Sequence, residues 1–159
     1  MKQNTIKFCI VSALYIVICL VLAPISFGPL QLRLGEILCL LSIENPIYIL
    51  SVSLGCLISN LLLSPFGLVD AIFGTLASLI GCTLGYLLRK YKYKGFPILS
   101  TVIISIINAI IVSFEMVYTL GNDIVFIISF IEILISEIII LVIIGYPIYN
   151  RLIKIDKGE

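Results

Sequence analysis

The chain has no histidine and no tryptophan, and only 12% of its residues are charged. Without histidine, the common zinc and haem sites lose their usual ligand, and Ser-His or Cys-His catalysis has no base. No metal site, cofactor or catalytic set is therefore expected. A net charge of +1 offers nucleic acid no basic surface. The five cysteines, Cys9, Cys19, Cys39, Cys56 and Cys82, stand singly in apolar runs, with no CxxC. They read as small packing residues in helices rather than as disulfide or metal pairs. There is no internal repeat, and the polar loops are too short to form a soluble domain.

What the chain does have is hydrocarbon. Of its 159 residues 61% are hydrophobic, and the mean hydropathy is +1.25. No soluble domain of this length has a core large enough to hide that much apolar surface. The reading is an all-α integral membrane protein, a single membrane domain over residues 1–159. Six transmembrane helices are expected, at about 8–25, 31–44, 47–63, 68–88, 97–118 and 124–149. Lys2 and Lys7 before the first run imitate a signal peptide. The run is long, no small-residue cleavage site follows it, and more spans come later, so it is kept as a membrane helix.

The run at 31–44 is weak by hydropathy, and charge placement decides for it. Lys and Arg prefer the cytoplasmic side. With six spans, Lys2, Lys7, Arg89, Lys90, Lys92, Lys94, Arg151, Lys154 and Lys157 share one face, nine of the ten basic residues. With five spans, Lys2 and Lys7 would lie opposite the rest. Both termini are therefore expected in the cytoplasm of a cell whose plasma membrane the chain crosses. Arg33 is the exception, near the outer face.

Arg33 belongs to the stretch on which the chain turns, Ala23-Pro-Ile-Ser-Phe-Gly-Pro-Leu-Gln-Leu-Arg-Leu-Gly-Glu36. Pro24, Gly28 and Pro29 stop one helix, and polar residues open the next. Arg33 and Glu36, three apart, would share a helical face there. A charged pair at a membrane rim costs several kcal/mol unless something holds it. It reads as the lip of a ligand site, against a plain ion pair that snorkels to water. Two stripes of small residues, Ser51/Gly55/Ser59 and Ala77/Gly81/Gly85, mark close helix contacts.

The intramembrane polar residues gather in the outer half. Gln31, Arg33 and Glu36 enter on the second span, Asn60 ends the third, and Asp70 opens the fourth. Glu115 and Tyr118 end the fifth, and Glu132 lies roughly 12 Å down the sixth. Asn108 and Glu137 sit near mid-depth. A channel or proton wire needs polar groups through the whole thickness, so this pattern describes a pocket open outward and closed below. Asn108 and Glu115, seven apart, face one cavity. Glu132 and Glu137, roughly 140° apart, do not share a wall; Glu137 either faces the cavity or is protonated within the bundle. Five acids against one arginine suit a cationic or donor-rich ligand, and a carboxylate matches the paired N–H groups of a guanine-like edge. Phe27, Phe66, Phe73 and Tyr118 are available to stack on a planar ring.

These residues resemble the QueT family. The likeness runs through Ala23-Pro-Ile-Ser-Phe-Gly-Pro-Leu-Gln-Leu-Arg33 with Glu36, Gly55-Cys-Leu-Ile-x-Asn60 and Gly67-x-x-Asp70-x-x-Phe73-Gly-Thr-Leu-Ala77. It continues in Asn108-Ala109 with Glu115, and in Glu137 followed by Gly145-Tyr146-Pro147. The resemblance implies a substrate-binding S component of an energy-coupling factor (ECF) transporter, with the S-component bundle and no ATPase of its own. It implies uptake of a queuosine precursor, a 7-deazaguanine such as preQ1. It also implies docking on a transmembrane coupling subunit that carries two ABC-type ATPases, and toppling in the lipid to deliver the ligand. Glu36 or Glu115 would read the purine edge, Asn60 or Asn108 the ring carbonyl or nitrogens, and Asp70 or Glu132 the amine; Arg33 would order the carboxylates. The Ala-x-x-x-Ala docking pattern of S components is replaced here by Cys9-x-x-x-Ala13 and Cys19-x-x-x-Ala23. Queuine or queuosine remain alternative ligands, and a stand-alone secondary carrier an alternative class. A small membrane enzyme lacks a nucleophile–base or metal set.

Overall fold

Helices account for nearly all of the chain, as its long apolar runs require. A computed structural model describes residues 2–26, 32–121 and 123–157. In order, the elements are α1 (Lys2–Val21), the short α2 (Ala23–Ser26), a 3-10 turn (Leu34–Leu38) running into α3 (Cys39–Glu44), α4 (Ile47–Leu63), α5 (Leu68–Leu87) and α6 (Ile98–Leu120). Then α7 (Asp123–Ile138) passes through a π-helical segment (Ile139–Ile144) into α8 (Gly145–Lys157). Four stretches are long and apolar enough to cross a membrane: Gln3–Val21, Leu68–Leu87, Ile98–Leu120 and Phe126–Asp156. The chain is thus a multi-pass membrane protein. Ile47–Leu63 is shorter, and the stretch from Leu34 to Glu44 shorter still.

Local chemistry sets the boundaries. Asn45 precedes Pro46 and is extended (φ −138°, ψ 122°), so α3 ends at Glu44 and α4 begins after the proline. Gly121, at φ 69°, closes α6 in the left-handed region that glycine enters without strain. The segment expected as one helix over 31–44 differs. Arg33 precedes the 3-10 turn with φ −81° and ψ 80°, so Arg33 and Glu36 do not share a helical face. Gly35 packs tightly in this turn: a Cβ there would meet Cys19 Sγ at 2.9 Å and the Tyr15 ring at 3.2 Å, so the turn is pressed against α1. Gln31, with Phe27, Gly28 and Pro29, lies outside the described residues, as does Asn122.

Both small-residue stripes work as contacts. A Cβ on Gly55 would stand 2.7 Å from Tyr15 Cβ, so α4 lies close on α1. Gly81 and Gly85 lie against Ile104, and Gly85 also faces the Ser100 carbonyl, so α5 lies close on α6 in antiparallel register. The remaining major contacts are α4 with α5 and α6 with α7. The outside is apolar: Ile10, Val21, Leu62, Leu68, Ile127 and Ile143 are exposed, which in lipid costs nothing.

One end of the bundle is fastened by charge. Lys7 Nζ is 2.8 Å from Asp156 Oδ1 and 2.6 Å from its carbonyl, and the Tyr48 hydroxyl donates to the same carboxylate. Lys92 Nζ lies 2.6 Å from Glu44 Oε1, to which the Tyr149 hydroxyl also donates. α1, α3, α4, α8 and the loop after α5 are tied together there. Two cavities, of about 240 and 410 Å³, open at this end, the first lined by Lys7, Leu14 and Asp156 and the second by Glu44, Lys92 and Lys154.

Gly55→Ala forces a methyl into Tyr15 and is expected to lose about 1–3 kcal/mol. A thermal melt in detergent should show the drop, while Leu62→Ala on the exposed face leaves the midpoint unchanged.

Candidate functional site

Most of the polar residues singled out in the sequence meet inside the bundle, toward the end away from Lys7. Arg33, Glu36, Asn60, Asp70, Asn108, Glu115 and Glu137 are all buried. The helices reach them from different sides: Arg33 and Glu36 from the turn before α3, Asn60 from α4, Asp70 from α5, Asn108 and Glu115 from α6, Glu137 from α7. Glu132 is not brought in. It is exposed on the same face as Ile128, Ile131 and Ile135, the α7 surface turned outward. The wide angle between Glu132 and Glu137 thus sends one out and one in.

Each buried carboxylate is held differently. Glu36 is 1% exposed and satisfied within the protein. It accepts from the Tyr15 hydroxyl at 2.6 Å and from the Cys39 thiol at 2.9 Å. Glu137 accepts the Asn108 amide at 2.9 Å on Oε1, while its Oε2 has no hydrogen-bond partner among the described residues. Asp70 gives its backbone carbonyl to the Asn60 amide at 2.8 Å, and its Oδ1 has no partner among them. Glu115 is 0% exposed, and neither of its oxygens has one.

Arg33 is the one buried cation among the described residues, and its guanidinium lies beside α5. A Cβ on Gly74 would come within 3.3 Å of its Nη1 and 2.4 Å of Asn60 Nδ2, so the missing side chain leaves room for both. The charge of Arg33 acts on Asp70 and on Glu137, and that of Glu36 also acts on Glu137. Three carboxylates, Glu36, Asp70 and Glu137, therefore share one guanidinium, and Glu115 is a fourth buried acid on α6. The low dielectric makes this uneven ratio costly unless protons or a cation make up the difference.

At the end of α5 and α6 nearest the cluster, half-buried Phe73 faces exposed Tyr118, ring centres 6.3 Å apart. Phe66 is exposed near the same end. Neither of the two cavities at the Lys7 end is lined by any residue of the cluster. The described residues contain no group of three or more His, Cys, Asp or Glu placed for a metal ion. Cys19, Cys39, Cys56 and Cys82 are buried free thiols and Cys9 is an exposed one. Packing is their main role, although Cys39 also donates to Glu36.

Sequence reasoning overlooked Tyr15, the principal donor to Glu36. Its signal was a hydroxyl in the middle of the apolar run of α1. Tyr15→Phe leaves Glu36 short of its closest donor, with an expected loss of about 1–3 kcal/mol. In a double-mutant cycle with Glu36→Gln, thermal melts should show the two changes strongly non-additive.

The sequence profile of the QueT transporter family matches residues 5–154. The queuosine precursor transporter QueT of Lactococcus lactis subsp. cremoris (strain MG1363) is 41% identical over 96 residues, which is 58% of this chain and 56% of that relative. The chain thus spans little more than half the length of this curated relative. No solved structure matches the chain. The profile runs from the first turn of α1 to the last turn of α8, across every residue of the buried cluster, and the chain belongs to the QueT transporter family, a family of transporters and not of enzymes.

Proposed function

We propose that this chain is the substrate-binding S component of an ECF-type importer, taking up a 7-deazaguanine precursor of queuosine such as preQ1. The observation that carries this reading is the set of buried acids: four carboxylates, three of them with an oxygen lacking a hydrogen-bond partner among the described residues, against a single buried guanidinium. An amidine-like ring edge and an aminomethyl cation together supply the donors and the charge that such a cluster lacks. The named relative, a queuosine precursor transporter, points to the same ligand class.

Topology supports the reading. The pairs Lys7–Asp156 and Lys92–Glu44 gather both chain ends and the basic loop at one end of the bundle. With that end in the cytoplasm, the basic residues obey the positive-inside bias. The chain then crosses six times, the two shorter helical stretches 34–44 and 47–63 included. The carboxylate cluster faces the outside, and both termini lie inside. Glu36, bound by Tyr15 and Cys39, orders the cluster; Asn60, Asn108 and Glu137 line it, and Phe73 with Tyr118 forms its aromatic rim. Gln31 would stand at the entrance. Energy for uptake would come from a coupling subunit and two ABC-type ATPases docked on the bundle. Cys9 and Ala13, both exposed on α1, are available to that contact.

Purified protein is expected to bind preQ1 with a clear thermal shift, and competition should rank preQ1 above queuine and queuosine. Well-folded protein that shows no heat of binding with any of the three would count against the assignment. Liposomes holding this chain alone should take up no labelled preQ1, whereas addition of a coupling subunit and its ATPases should make uptake ATP-dependent. Uptake by the chain alone would favour a secondary carrier.

A further inference from the structure

Asp70 and Glu115 lie on different helices, and the packing of those helices brings them level. Gly85 of α5 sits against the Ser100 carbonyl of α6, and Gly81 and Gly85 both touch Ile104. The helices are antiparallel, so stepping back along α5 from Gly85 matches stepping forward along α6 from Ser100. Fifteen residues in each direction lead to Asp70 and to Glu115. The Phe73 and Tyr118 rings, three residues beyond Asp70 and Glu115 along their helices, also approach to 6.3 Å between centres.

Both side chains are buried, at 3% and 0% exposure. Asp70 Oδ1 and both Glu115 oxygens have no hydrogen-bond partner among the described residues. Elsewhere in the cluster the protein supplies donors, two to Glu36 and one to Glu137. Two buried carboxylates at one level, with empty acceptor sites and only Arg33 acting on Asp70 as counter-charge, call for a further cation with several N–H bonds. A neutral amidine edge fills one carboxylate and leaves the other charged. A primary ammonium, with three donors, serves both.

We infer that Asp70 and Glu115 together form the subsite for a primary ammonium group on the ligand. This deepens the reading given above and rests on it. The subsite lies near the outer end of α5 and α6. Asn108 and the second Glu137 oxygen lie roughly 10 Å deeper, two helical turns below Glu115. A ligand carrying an amine would therefore point that amine toward the rim and its ring toward Asn108 and Glu137. Glu36, already satisfied by Tyr15 and Cys39, positions the cluster and makes no contact with the amine.

The test compares preQ1 with preQ0, whose nitrile replaces the aminomethyl cation, by calorimetry on the purified full chain in detergent. Wild type should bind preQ1 more tightly than preQ0. Glu115→Gln and Asp70→Asn, near-isosteric changes, should each weaken preQ1 about a hundredfold while preQ0 changes less than threefold. Retained preQ0 binding also shows that the variants fold. The inference is overturned if either variant keeps the wild-type preference for preQ1, or loses both ligands equally. If wild type binds neither compound, the transport reading itself fails, a result distinct from wild type binding preQ1 with an unaltered preference in the variants.

Discussion

Charge without enough counter-charge, placed where water does not reach, is the constraint that organises this protein. Arg33 shares its charge with Glu36, Asp70 and Glu137, and Glu115 is buried with them among apolar helices. Every ionised carboxylate in such a place costs several kcal/mol unless it is paired, hydrogen-bonded or protonated. The fold meets part of that cost from within. Tyr15 and Cys39 hold Glu36, Asn108 holds half of Glu137, and Asn60 anchors the backbone of Asp70. The remaining oxygens of Asp70, Glu115 and Glu137 have no hydrogen-bond partner among the described residues. Close packing makes the arrangement possible. Gly35, Gly55 and Gly74 let Tyr15, Arg33 and Asn60 approach backbone that any Cβ would block.

The two ends of the bundle treat carboxylates in opposite ways. At the Lys7 end, Asp156 and Glu44 each bind a lysine and a tyrosine, and side chains from distant parts of the chain are knotted there. Those groups are partly exposed and gain little individually, but each knot joins several elements at once. At the other end the acids are buried, and three have unfilled acceptor sites.

The long helices were legible because apolar runs of membrane length leave no other backbone solution. Pro46, Pro97 and Gly121 marked their ends for reasons that hold in any context. Burial of Arg33, Glu36, Asn60, Asp70, Asn108, Glu115 and Glu137 was legible too, because a polar group in an apolar run must find a partner inside. The 3-10 turn at Leu34–Leu38 was not, because its packing of Gly35 on Tyr15 joins residues twenty apart. Nor was the outward aim of Glu132. The angle separated it from Glu137, but only packing against α6 decided which of the two faces in.

The π-helical segment at Ile139–Ile144 joins α7 to α8 inside one continuous rod. Wider winding stores extra chain in a helix, and one residue more or less turns all that follows by about 100°. Glu137 lies before the segment, and Tyr149 and Asp156 lie after it. The segment therefore acts as a phase corrector. It lets a single rod present Glu137 to Asn108 above and, without a break, show the correct side to Glu44 and Lys7 below. A one-residue deletion there would spare hydrophobicity and span length alike, yet unscrew the lower half from its fastenings.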